Sequence, residues 1–165
     1  MCIIIDTNSF SHVFNTQDCN HSKFRPVYDW ITSSCGSMVY GGTRYNNELR
    51  KNKYLKLIAT LKSKTKFNVI KVDDSKVDAQ EARIIKIIPD KKFDDPHLPA
   101  IAIVAKCHLI CSLDMASVKF VTNPALYPKH FLIPKYYSQP SNKNLLCNKY
   151  IDKSYKQHHN KKQTI

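Results

Sequence analysis

The chain has 165 residues, enough for one domain with a single core, and its 42% apolar content is that of a globular protein. No apolar run approaches the ~20 residues that span a bilayer, and the opening Met-Cys-Ile-Ile-Ile is cut off by Asp6 with no basic n-region, so neither a membrane span nor a signal peptide is expected. Lys and Arg number 26 against 13 Asp and Glu, a formal +13 that favours a polyanionic partner such as nucleic acid. Since 22 of those 26 are Lys, an AT-biased genome would explain part of the excess. Six cysteines fall well short of a disulfide scaffold and, with no export signal, read as reduced thiols in a cytoplasmic protein.

Ile3-Ile4-Ile5 is a short, β-branched, continuously apolar run that predicts a buried parallel strand. Asp6-Thr7-Asn8-Ser9 ends it and caps a helix whose apolar side is Phe10, Val13 and Phe14. Residues 26–35 predict a second helix on Val27, Trp30 and Ile31, and Ser37-Met38-Val39-Tyr40 a second strand. Gly41-Gly42 turns out of that strand, and Thr43 starts a long helix to about Leu61. Residues 67–72 predict a third strand, followed by a helix from Ser75 that Pro89 stops. Asp95-Pro96 opens a further helix, with Asp as N-cap and Pro at the first helical position, running to about Lys106. Residues 109–113 predict a fourth strand ending at Asp114, and 118–121 a fifth. Strands alternating with helices imply an α/β domain with a mainly parallel sheet.

The charge is unevenly placed. Residues 134–165 hold seven lysines against Asp152 alone, a net +6, and read as a weakly ordered basic tail with one short helix near 144–151; the domain proper then spans 1–133. Residues 44–71 hold nine basic residues against Glu48 alone, a net +8. A solvated surface accounts for such runs as readily as a phosphate-binding face does.

Acids are scarce enough to place one by one. In a parallel sheet the carboxyl ends of the strands form one edge, where sites are built. Asp6 follows the first strand and Asp114 the fourth, and the helix before the fourth strand runs antiparallel to it, so Asp95 at its start returns to the same edge. About eleven helical residues at ~1.5 Å match about five strand residues at ~3.3 Å. Glu48 lies about one and a half turns into the helix leaving the second strand. Each has a plainer reading: Asp6 and Asp95 as N-caps, Asp114 as a turn residue, Glu48 as a surface charge. Four together on one edge favour a site, and like charges so close require a cation. Hard oxygen ligands without thiolates or paired imidazoles point to Mg²⁺ or Mn²⁺.

At these residues the chain resembles the PIN-domain nucleases, a family that includes many toxins of toxin–antitoxin pairs and RNA-processing endonucleases. The resemblance covers roughly residues 3–122 and rests on Ile-Ile-Ile-Asp6-Thr-Asn8, the Glu48 helix, Asp94-Asp95-Pro96-His97-Leu-Pro-Ala-Ile-Ala and Leu-Ile-Cys-Ser-Leu-Asp114. It implies a three-layer α/β/α fold with four to five mainly parallel strands. It also implies an endoribonuclease with an acidic quartet of Asp6, Glu48, Asp95 and Asp114 binding one or two Mg²⁺ or Mn²⁺ ions, Asn8 supporting Asp6, and products with a 5′-phosphate and a 3′-hydroxyl. An antitoxin protein and a homodimer are the partners it suggests beside RNA. The family often carries a further acid or polar residue after the last quartet member, but no acid follows Asp114 before Asp152, leaving Ser117 or Asn123 for that role. Asp94 stands beside Asp95, and the Asp-Pro-His step favours Asp95 as the ligand, with His97 structural or substrate-facing.

Arg44, Arg50, Lys51 and Lys53, on the helix that carries Glu48, are placed to hold the phosphate backbone, and Tyr45 either stacks a base or packs in the core. The alternative function is a non-catalytic RNA-binding or scaffold domain. A phosphatase with Asp6 as nucleophile is weaker, because that chemistry wants a second Asp where Asn8 stands. Cys107 and Cys111 read as buried thiols rather than a zinc pair, His158-His159 as nonspecific, Asp78 and Glu81 as solvent-facing, and Asp73-Asp74 as a helix start.

Overall fold

A computed structural model describes residues 1–33 and 35–147. Five strands form one all-parallel sheet in the order β3-β2-β1-β4-β5: β1 (Cys2–Ile5), β2 (Ser37–Tyr40), β3 (Asn68–Lys71), β4 (Leu109–Cys111) and β5 (Lys135–Tyr137). The chain moves outward from β1 through β2 to β3, then crosses to β4 and outward again to β5. Parallel crossovers share one hand, so this reversal puts the earlier and later helices on opposite faces, a three-layer α/β/α architecture. The reversal also opens a crevice between the carboxyl ends of β1 and β4, the position where open α/β sheets carry their sites.

The core sits on the central strands. Ile3, Ile4, Ile5, Ile110 and Cys111 are fully buried, as continuous apolar strands covered on both faces must be. The cysteines are free thiols, with Cys107 and Cys111 buried.

Local differences from the expected elements each have a cause. A one-turn 3-10 helix (Thr7–Ser9) leads into α1 (Phe10–Phe14), and α2 spans His21–Thr32, starting upstream of Pro26. Buried Phe24, Val27 and Ile31 extend the inward stripe one turn earlier, and the helix accepts Pro26 inside it. The long helix after Gly42 is two helices, α3 (Thr43–Lys51) and α4 (Tyr54–Lys64). Asn52 closes α3 by donating from its backbone N–H and its side-chain amide to the Glu48 carbonyl, and Lys53 turns left-handed at φ 60°. α5 (Asp74–Ile87) is capped by Asp73, and α6 (His97–Ala105) starts one residue later than expected, with Pro96 rather than Asp95 at the cap. The Asp95 carboxylate is thereby left for other work.

Two corrections matter most. Residues 118–121 are not a strand but the end of α7 (Met115–Val121), because Asp114 caps it through Oδ1, accepting from the N–H groups of Ala116 at 2.8 Å and Ser117 at 3.4 Å. The fifth strand lies instead at Lys135–Tyr137, inside the segment expected to be tail. It pairs with β4, Tyr137 is fully buried, and a 3-10 helix at Pro140–Leu145 returns Leu145 to the core. The domain therefore continues past residue 133 to at least Leu145. The remainder of the expected tail helix and His158-His159 lie outside the described residues.

Gly42 sets the entry to α3. Its φ is +85°, and a Cβ there would lie 2.5 Å from Cγ1 of Val77. Gly42→Ala is expected to lose about 1–3 kcal/mol in urea unfolding, from backbone strain and displacement of α5.

Candidate acidic site

The carboxyl ends of β1 and β4 deliver the acids. Asp6, directly after β1, is 2% exposed; Oδ2 accepts from Ser112 Oγ at 2.6 Å and Oδ1 from the Asn8 N–H at 3.2 Å. Burial raises its pKa against these two hydrogen bonds, and the charges of Glu48 and Asp114 add to the rise. Asn8 supports Asp6 through its backbone, so the bond does not depend on the asparagine side chain. Asp114 follows β4, and its own N–H donates to Ser112 Oγ at 2.9 Å, so one serine ties the two strand ends together.

Asp94, Asp95 and Asp114 each offer a carboxylate oxygen, and these oxygens lie within 4.8 Å of one another. The Asp95 pKa is pushed up to about 7 by burial, then by the charges of Asp6, Asp94, Glu48 and Asp114. Five carboxylates from four chain segments thus share one field. The structure brings Asp94 as well as Asp95 into the tight group, whereas Asp6 stands behind it, held by Ser112.

Glu48 forms the other half of the edge. Oε2 accepts from Thr7 Oγ1 at 2.7 Å, and Oε1 faces Arg44 Nε at 3.6 Å. Arg44 also reaches Glu81 Oε1 through Nη1 at 3.5 Å and donates from Nη2 to the Asp94 carbonyl. Its guanidinium is thus engaged by three groups of the site while the side chain stays 41% exposed. Glu81, expected to face solvent, has a side chain only 13% exposed, because α5 packs against α3 and turns it toward this guanidinium. Asp78, likewise expected to face solvent, is half-buried and caps the start of α3, accepting from Thr43 N–H at 2.8 Å and Thr43 Oγ1 at 2.6 Å.

His97 is 1% exposed, and neither ring nitrogen has a hydrogen-bond partner among the described residues. Nε2 lies 4.0 Å from Glu48 Oε2. Burial, reinforced by Arg44, holds its pKa down to about 3, so the ring is neutral with one N–H donor and one acceptor unmatched. Tyr45 is core: fully buried, it donates its hydroxyl to the Ile5 carbonyl.

The remaining candidates divide. Ser117 is 2% exposed, donates Oγ–H to the Asp114 backbone carbonyl at 2.9 Å and lies 3.3 Å from the Tyr136 hydroxyl, which places it beside the acidic edge. Asn123 does not: its side chain accepts from Ala125 N–H beyond the far end of α7. Arg50, Lys51 and Lys53 are exposed. At ~100° per residue Lys51 shares the Glu48 face of α3, whereas Arg50 lies on another face and Lys53 occupies the turn.

Four contributors were missed. Ser112 carried one signal, a small polar residue interrupting the apolar run before Asp114. Thr7 and Glu81 carried none that separates them from caps and surface charge. Tyr136, whose hydroxyl pKa is raised by burial and by Asp6, Asp95 and Asp114, fell in the segment taken for a tail. Ser112→Ala removes the O–H donor to buried Asp6 and is expected to lose about 1–3 kcal/mol at neutral pH, read by urea denaturation.

Comparison with protein-family models, curated proteins and solved structures returns no match to this chain.

Proposed function

We propose that this chain is a divalent-cation-dependent endoribonuclease acting through the acidic edge between β1 and β4. One observation carries the reading: Asp6, Glu48, Asp94, Asp95 and Asp114 converge at the sheet's reversal point, with three of them offering oxygens within 4.8 Å of one another. Such a grouping of like charges is unfavourable without a cation. The donors fit Mg²⁺ or Mn²⁺: they are carboxylate oxygens, the nearby imidazole is a single neutral ring, and Cys111 is buried with its thiol pKa raised. The ion that Asp94, Asp95 and Asp114 would hold supplies Lewis acidity and a bound water of lowered pKa.

The chain's own residues do the rest. Ser112 and the Asn8 N–H fix Asp6 behind the group, and Thr7 orients Glu48. Lys51 on the Glu48 face, continued by the exposed lysines Lys53 and Lys56 at the start of α4, supplies positive potential for a phosphate backbone. The PIN-domain resemblance of the motifs bearing these acids, with the net +13, selects RNA as the substrate.

The test is incubation of the purified chain with total RNA and with single-stranded DNA, in Mg²⁺ or Mn²⁺ and in EDTA, with sequencing of 5′-phosphate ends. New 5′-phosphate ends in RNA, present only with the cation, are expected. RNA binding without cleavage in either cation would identify a non-catalytic domain instead.

A further inference from the structure

The two halves of the acidic edge are treated differently by the fold. Asp94, Asp95 and Asp114 have no ion-pair partner among the described residues. Glu48 and Glu81, in contrast, share a guanidinium. Arg44 points Nε at Glu48, Nη1 at Glu81 and Nη2 at the Asp94 carbonyl, so its fork is used on three segments at once: its own helix α3, helix α5 and the loop before α6. A guanidinium cannot lose its proton in a protein and presents donors in a rigid plane suited to this arrangement. His97 adds an independent mark of a site, since its ring is 1% exposed, unpartnered at both nitrogens and 4.0 Å from Glu48 Oε2.

We infer that Arg44 is the resident cation of the Glu48–Glu81 half of the site, so that the chain takes up one divalent ion, on Asp94, Asp95 and Asp114, and not two. This rests on the metal-dependent reading above and sharpens it. A second divalent ion beside Glu48 would have to displace a permanently charged group from two carboxylates and a carbonyl. Arg44 is thereby a positioning residue. It keeps Glu48 in place, and through the Asp94 carbonyl it holds the loop that presents Asp94 and Asp95.

The stoichiometry of Mn²⁺ bound to the full chain decides the matter, measured by equilibrium dialysis with paramagnetic resonance of the free ion. One ion per chain is expected for the wild type and for Arg44→Lys, which keeps a cation. Arg44→Gln is expected to bind two, and Arg44→Gln combined with Glu81→Gln to return to one. Asp114→Asn is expected to lose the wild-type ion. Two ions on the wild type, or a single ion on a folded Arg44→Gln, overturns the inference. No ion on the wild type overturns the metal-dependent reading itself. Circular dichroism establishes folding, and if Arg44→Gln does not fold, the counts for the wild type and Arg44→Lys still decide.

Discussion

Asp95→Asn is expected to make the metal-free protein more stable at pH 8, by about 1–2 kcal/mol for a partly exposed group, while abolishing its stabilisation by Mn²⁺. Asp95 titrates at about 7 in the folded chain, against 3.8 for an unperturbed Asp. Between those values the folded state keeps a proton that the unfolded state has released. The wild type is therefore most stable, as far as this group is concerned, below about pH 4, and loses that contribution as pH rises to about 7. The variant has nothing to ionise there, so the two stability curves should coincide near pH 4 and separate toward pH 8. Only the ionised carboxylate is a ligand, so Mn²⁺ uptake by the wild type near pH 6 should release protons, and calorimetry in buffers of different ionisation enthalpy reads that release. Parallel curves across pH 4–8, or an equal Mn²⁺-induced rise in Tm in both proteins, would contradict the assignment of Asp95.

The second large effect lies far from the acids in sequence. Tyr137→Ala is expected to cost about 3–5 kcal/mol, enough to unfold a marginally stable domain. Tyr137 is fully buried on β5, packs its ring against Phe24 in a tilted arrangement at 5.9 Å between centroids and donates its hydroxyl to the Lys23 carbonyl at 3.1 Å, joining the last strand to α2. Tyr137→Phe removes only that hydrogen bond, so about 1 kcal/mol is expected. A chain ending at residue 133 leaves the β4 edge unpaired along 109–111 and should not give a cooperative unfolding transition. Cooperative unfolding at wild-type denaturant concentration would restore residues 134–147 to the status of a tail.

That error shows what sequence patterning reads and what it does not. β1 was legible because Ile3-Ile4-Ile5 is continuous, and β2 because Gly41-Gly42 marks its end. β5 was not, because it is three residues, Lys135-Tyr136-Tyr137, among charged and polar neighbours, and its burial comes from β4 and α2 rather than from its own periodicity. Residues 118–121 misled for the opposite reason: β-branched composition suggested a strand, while the Asp114 cap imposed a helix. In the site, topology alone places Asp6, Glu48, Asp95 and Asp114 on one edge, since strand ends and a helix start fix backbone positions. It could not order the side chains. That Asp94 joins the tight group with Asp114, that Arg44 reaches Glu81 as well as Glu48, and that Ser112 bridges Asp6 to Asp114 depend on side-chain placement, the Ser112–Asp6 bond alone joining residues 106 positions apart.

The most direct test of the central claim compares the wild type with Asp114→Asn on one end-labelled single-stranded RNA in Mn²⁺. Asp114 is the member of the tight carboxylate group that also caps α7, and asparagine retains a cap oxygen, so the fold should survive. Losing a metal ligand is expected to slow cleavage by about 10³-fold or more, a barrier increase of about 4 kcal/mol. The wild type should cut internally and leave 5′-phosphates, and EDTA should stop it. Cleavage by the variant at the wild-type rate, or by the wild type in EDTA, would contradict the account.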